Sequence, residues 1–176
     1  VGPRRYIGAS NLSMHVMIHD IDYVNWFMGC KPVKVYAKAR SVLLKEYDMD
    51  DVIYALVTYE NGAVACLEAC WVLPANSPTI IDAQVELVGT KGVVYVDACD
   101  NGVRFVSGDR VQYPDSRHWY NVNGAPSGDL SEEIMAFIGN IVNGTKSIIT
   151  PLDALNSLKV VDAIERSIAS GVEVDL

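Results

Sequence analysis

No uninterrupted apolar run in this 176-residue sequence is long enough to cross a bilayer, and nothing at its start reads as a signal peptide. A membrane location is therefore not expected. Basic residues are also scarce: 14 Lys and Arg stand against 22 Asp and Glu, a formal charge of −8, and they form no cluster. Nucleic acid and anionic membrane are poor partners for such a chain. The four cysteines, Cys30, Cys66, Cys70 and Cys99, include no CxxC pair, which argues against a zinc ribbon. Cys66 and Cys70 lie four apart on an expected strand, too far for a local disulfide. They read as buried free thiols of a reducing cytoplasm. No GxGxxG follows a strand, so the chain has no glycine-rich turn to receive a dinucleotide pyrophosphate. Tandem repeats and low-complexity segments are missing as well.

What is present is apolar and patterned. Half of the residues are hydrophobic, enough for a sizeable core and against disorder. Arg4 to Ser10 suits a short strand. Asn11 and Ser13 offer cap oxygens for a helix over Met14–Met28, stopped by Gly29 with Pro32 beyond. In "VKVYAKARSV" Val33, Val35, Ala37 and Ala39 point one way, and Lys34, Tyr36, Lys38 and Arg40 the other. An acidic loop, "KEYDMDD", precedes a hairpin whose strands flank a two-residue turn at Asn61-Gly62. Further hairpins turn at Thr90-Lys91 and Gly108-Asp109. "PDSRHWYNVNGAPSG" has no period and reads as a loop. The end is helical: "LSEEIMAFIGNIVNG" with Ile134, Phe137, Ile138, Ile141 and Val142 in phase, then a helix with Thr150 as cap and Pro151 at its first position, running to Gly171. "VEVDL" closes the chain as a strand. The expected fold is α+β, a large open, mainly antiparallel sheet with helices packed on one face, in a single domain over residues 1–176.

The titratable residues concentrate in "HVMIHDIDYVNWFMG". At 100° per residue His15, His19, Asp22 and Trp26 share one stripe, with Met14, Met17, Ile21, Val24 and Met28 opposite. Three readings of that stripe stand open. Two histidines four apart with Asp22 are the start of a zinc site, although HExxH is missing. A polar seam satisfied by neighbouring backbone is the structural alternative. The third is a histidine that moves protons near neutral pH, tuned by a carboxylate or second histidine. Asp20 points away from the stripe. In the late loop, Arg117, His118, Trp119 and Tyr120 form a group that can line a sugar pocket, since rings pack on the apolar faces of sugars, or simply an ordinary surface loop. Trp71 shares a strand face with Leu67 and Leu73 and is expected in the core or an interface.

"HDIDYVNWFMG" resembles the HD-x-D-…-W-x-x-G segment that opens the C-terminal domain of the glucose–fructose oxidoreductase / inositol dehydrogenase / MocA (Gfo/Idh/MocA) family. "PVKVYAKA", "VTYENGAVACLEACW", "VELVGTKGVVYVD", "EEIMAFIGNIVNG" and "TPLDALNSLKVVDAIERSIASG" follow in the family's order and cover nearly the whole chain. The resemblance implies the substrate-binding and oligomerisation domain of an NAD(P)-dependent oxidoreductase acting on a sugar, polyol or related alcohol. Its cofactor, NAD or NADP, would be bound mainly by an N-terminal Rossmann domain absent from this chain, which opens "VGPRRYIGAS" as though cut from a longer protein. The family's lysine in Glu-Lys-Pro is also absent, so the fragment alone is expected to be inactive. By the same resemblance His19 is the catalytic acid–base, His15 falls at a substrate-side position, and Asp22 matches a later aspartate that supports the site. His15 and Asp22, with His118 and Trp119 from the chemistry of their own loop, are the candidate substrate-side residues. No residue is assigned to a metal or to the cofactor. The expected partners are the sugar or polyol, the chain's own N-terminal domain and further copies through the open sheet face. His15 stands where the family has an aspartate. That departure leaves an alternative, a non-catalytic sugar- or nucleotide-binding regulatory relative.

Overall fold

The fold comes from a computed structural model, which describes residues 8–79 and 81–176. The expected strand at Arg4–Ser10 falls largely outside them; Gly8 and Ala9 form a turn. The fold class is α+β, and every strand pairing among the described residues is antiparallel. The contacts gather into two compact units, Val1–Leu73 with Ile148–Leu176, and Pro74–Ser147.

The first unit holds helix α1 (Ile18–Met28), strands β1 (Pro32–Arg40), β2 (Val52–Tyr59) and β3 (Val64–Cys70), helix α3 (Pro151–Ser170) and strand β10 (Val174–Asp175). Its sheet runs in the order β10-β1-β2-β3. One face is apolar at every second residue, as a half-buried strand requires: Val35 and Ala37, Ile53, Ala55 and Val57, Ala65, Leu67 and Ala69 are buried. Met17, Ile21 and Val24, with Val160, Val161 and Ile164 of α3, close over them as one cluster. The alternation expected for β1 is therefore the observed one. The cap of α3 is also as expected: Thr150 and Asp153 form a reciprocal capping box, with Pro151 inside it. α3 is tied to the sheet by Ser167, whose Oγ accepts the Ala37 N–H at 2.9 Å and donates to the Val172 carbonyl at 2.7 Å.

The other face of this sheet is open. Tyr54, Leu56 and Val64 are exposed there, and so is Cys66, which corrects the expectation of buried thiols. Cys66 follows the two-residue period of β3 onto the outward side, while Cys30, Cys70 and Cys99 are partly covered and all four are free. The β2–β3 turn also differs from its expected form. The Tyr59 N–H donates to the Ala63 carbonyl at 2.9 Å, so Glu60, Asn61 and Gly62 make a three-residue loop. A two-residue type I′ turn would need left-handed backbone at both Asn61 and Gly62, and only Gly62 has it, at φ 82°. The acidic loop is organised around Asp51, whose carboxylate accepts the N–H groups of Val42 and Leu43 at 2.7 Å and Leu44 at 2.9 Å. Desolvation works to raise its pKa, but these three bonds outweigh it and hold the carboxyl below its ordinary range.

The second unit comprises three hairpins and one helix: β4 (Gln84–Gly89) with β5 (Gly92–Asp97), β6 (Phe105–Val106) with β7 (Val111–Gln112), β8 (Tyr120–Val122) with β9 (Ala125–Ser127), and α2 (Asp129–Asn143). The turns at Thr90-Lys91 and Gly108-Asp109 fall where the sequence puts them. The β8–β9 hairpin lies in the stretch read as a loop. Its two-residue turn is Asn123-Gly124, left-handed at both positions with φ of 51° and 83°. The Asn-Gly signal was there; three-residue strands, one containing Pro126, show no period to accompany it. The in-phase apolar residues of α2, among them Phe137, Ile141 and Val142, are exposed.

Candidate functional site

The first candidate site is built on the segment before and along α1. Asn11 caps it, its side-chain Oδ1 accepting the Met14 N–H at 3.0 Å and its carbonyl accepting the His15 N–H at 3.0 Å. Ser13, the other expected cap, is instead buried, and its hydroxyl donates to Glu165 of α3. Ser13–Met17 is a π turn. A π turn widens the helix, and such bulges recur at functional sites. It also shifts the phase of the residues within it, which explains why Met14, expected on the covered side, is 43% exposed.

His15 sits in this turn, partly buried, its ring tilted against Trp71 at 6.2 Å between centroids. Trp71 is held in turn: its Nε1–H donates to the Asp50 carbonyl at 2.8 Å, and the residue packs on the edge of the core. His19, in the first turn of α1, is exposed. Beside it Asp20 is partly buried and accepts a hydrogen bond from the Tyr23 hydroxyl. Burial raises the Asp20 carboxyl above its ordinary range, while Tyr23 and the charge of His19 pull it back. The same burial, reinforced by Asp20, pushes the Tyr23 phenol up. The helical wheel set Asp20 aside because it lies 100° from His19 around the helix. Adjacency in sequence was the signal that could have found it.

Asp22 faces the protein. Its Oδ1 accepts from the buried Ser157 hydroxyl at 3.0 Å, which fastens α1 to α3. Asn25 does a similar service toward the sheet, accepting from the Tyr59 hydroxyl at 2.9 Å; burial, then the nearby Cys30, pushes that phenol up to about 12. Trp26 is 75% exposed. The helix is thus fixed to its surroundings on one side while His19 remains open to solvent.

The second candidate site belongs to the second unit. Asp115 accepts the backbone N–H groups of Arg117, His118 and Trp119, each at 3.0 Å. These bonds, led by that of His118, hold its carboxyl below the usual range. The Arg117 carbonyl accepts the Asp129 N–H at 2.7 Å, and the His118 ring Nδ1 lies 3.1 Å from Asp129 Oδ2. The hairpin, this loop and α2 border an open cleft of about 380 Å³ lined by His118, Trp119, Asn121, Ser127, Leu130 and Met135, among others. Its make-up, apolar with a few polar groups, suits a small ligand that has an apolar face and hydroxyls. The sequence named His118 and Trp119 but not Asp129 or Gly128, which are remote from them in the chain. Among the described residues no cluster of three His, Cys, Asp or Glu is placed to hold a metal ion, and no helix is long and apolar enough to cross a membrane.

The described residues thus form an α+β fold with a histidine-bearing helix in one unit and an aromatic-lined cleft in the other. Comparison with known proteins gives the family. A family model of the GFO/IDH/MocA C-terminal domain matches residues 5–95, more than half of the chain. The chain belongs to the GFO/IDH/MocA family. It is 27% identical over 175 residues to the uncharacterized oxidoreductase YrbE of Bacillus subtilis, covering 96% of this chain and 49% of that protein. Among solved structures, myo-inositol 2-dehydrogenase from Lactobacillus plantarum shares 21% identity and a TM-score of 0.76, covering 98% of this chain and 51% of its own. Scyllo-inositol dehydrogenase from Lactobacillus casei, solved with NAD(H) and scyllo-inositol, shares 22% identity and a TM-score of 0.74 over the same shares of the two chains. The chain thus spans about half the length of the relatives it matches.

Proposed function

We propose that this chain is the substrate-binding and proton-transfer half of an NAD(P)-dependent oxidoreductase acting on a sugar, polyol or related alcohol. The observation that carries the reading is His19: an exposed imidazole on a helix fixed from behind, beside a partly buried carboxylate, in a chain of an oxidoreductase family. The inositol ligand and NAD(H) of the Lactobacillus casei relative support the substrate class and the cofactor.

In this reading the dinucleotide is held mainly outside the described residues. A nicotinamide cofactor is held by a glycine-rich turn between a strand and a helix of a parallel βαβ unit, and here every strand pairing is antiparallel. The cofactor, which supplies the hydride acceptor, belongs in this proposal to an N-terminal domain of the parent polypeptide. This chain's own part is the proton. His19 takes the hydroxyl proton of the alcohol as its carbon is oxidised, or returns it in the reverse direction. His15, one turn earlier and braced by Trp71, hydrogen-bonds a neighbouring hydroxyl, and Asp22 keeps the helix in place. His118 and Trp119 offer a nitrogen and a ring face to a polyol. In the full-length protein, NAD or NADP should be reduced on addition of myo-inositol or a related polyol. Residues 1–176 alone should show no micromolar NAD or NADP binding by calorimetry; a micromolar constant would refute the division of labour.

A second reading has one observation in its favour. His15 stands where the resemblance implies aspartate, and a neutral imidazole gives less stabilisation to a neighbouring imidazolium than a carboxylate does. A full-length protein that binds a polyol without turnover would favour a regulatory relative.

The open sheet face completes the proposal. Exposed Tyr54, Leu56 and Val64 on one side of a sheet whose other side is covered suit burial against a second copy. Light scattering should give a dimer or larger species, and Leu56→Lys with Val64→Lys should shift it toward monomer. A strict monomer at high concentration for the unmodified protein would count against the interface.

A further inference from the structure

We infer that Asp129 is a positioning residue for His118, fixing its ring so that Nε2 is left as a hydrogen-bond acceptor for a hydroxyl of a polyol lying on Trp119. The inference rests on the substrate class proposed above and adds a residue and a direction of hydrogen bonding.

His118 is constrained at three points. Its backbone N–H donates to Asp115 Oδ1 at 3.0 Å. Its carbonyl lies where a side chain at residue 128 would have to go: a Cβ on Gly128 would stand 2.7 Å from that oxygen and 2.4 Å from the Arg117 carbonyl oxygen. Its ring Nδ1 is 3.1 Å from Asp129 Oδ2. An ionised carboxylate only accepts, so in the neutral imidazole the proton must sit on Nδ1. Nε2 is then the lone-pair nitrogen. A free imidazole side chain prefers the opposite tautomer, so this one must be imposed by the partner.

The surroundings say what such an acceptor would meet. The Trp119 ring lies 5.6 Å from that of His118 and tilted by 43° to it, and Trp119 is 56% exposed. An aromatic face beside an acceptor nitrogen fits a ligand with an apolar ring face and hydroxyl donors, the chemistry of a cyclic polyol. A ligand lacking hydroxyl donors would leave Nε2 unpaired and gain only the stacking.

The test is the tautomer of His118, read from its ring ¹⁵N shifts in the full-length protein at pH 8, with His118→Gln to assign the signals. The expected result is the Nδ1–H form, reverting to Nε2–H in Asp129→Ala, while Asp129→Glu recovers part of the original signature. Added myo-inositol should move the Nε2 resonance, and Asp129→Ala should raise KM for it by about five-fold, the order expected for one hydrogen bond, with a smaller change in kcat. An Nε2–H tautomer in the unmodified protein overturns the inference whatever the activity. The Nδ1–H tautomer with an Nε2 resonance indifferent to saturating myo-inositol overturns the role in polyol binding. A protein with the expected tautomer and no turnover would instead count against the enzymatic reading, so the two failures are distinct.

Discussion

His19→Asn should lower kcat of the full-length enzyme by roughly 10²–10⁴-fold, the range for loss of a general base. An alcohol does not give up hydride until its proton is leaving, so a base must stand within about 3 Å of that oxygen. An asparagine at 19 keeps a hydrogen-bonding side chain of similar reach but cannot take the proton. The helix should be indifferent to the change, because residue 19 is exposed and the contacts that fix α1 run through Ile21, Asp22, Val24 and Asn25. Circular dichroism and melting temperature should therefore be preserved and KM should change less than kcat. His15→Asn should cost less, since that ring leans on Trp71 and its proposed partner is a neighbouring hydroxyl and not the reacting one. Turnover near the wild-type rate in His19→Asn would remove the histidine from the chemistry and leave a binding-only site.

Gly128→Ala should destabilise the second unit by roughly 3–5 kcal/mol, the sum of left-handed strain and overpacking against backbone. The residue has φ of 100°, and the added Cβ would meet the Arg117 oxygen at 2.4 Å and the His118 carbonyl carbon at 2.8 Å. These are backbone atoms held from the other side by Asp115, so they cannot yield as a flexible side-chain tip would. The denaturation midpoint should fall, and amide exchange should speed up around 115–135 while that of α3 stays slow. Because the same contact seats His118 and Trp119, the polyol binding proposed for them should weaken as well. An unchanged midpoint and exchange pattern would show that the loop and α2 do not meet as described.

Much of the framework was legible from local rules. Gly29, Gly144, Thr150 and Pro151 bound the helices as capping chemistry requires, and the two-residue period of β1 gave its covered face. His15 and His19 stood out because a polar stripe of imidazoles is not an ordinary solvated face. Three things were hidden. The π turn at Ser13–Met17 has no propensity signature, so a wheel drawn at 100° misplaced Met14. The β8–β9 hairpin was masked by strands too short to show a period. Asp129 meets His118 only because Gly128 lets two backbone segments touch.

The sequence by itself determined the α+β class, the order of the main elements, the covered face of β1 and the histidine helix, because capping, turn chemistry and hydrophobic period are properties of neighbours in the chain. Only the tertiary structure decided what each polar group does. Asp22 became a tether when it met Ser157 of α3, Trp71 came to brace His15 from the end of β3, and Asp129 came to hold His118. The amphipathic period of α2 was readable, yet whether its apolar side is covered was not, and in this chain Phe137, Ile141 and Val142 are exposed. Periodicity states that a face is apolar. Contact between segments far apart in sequence decides what, if anything, lies against it.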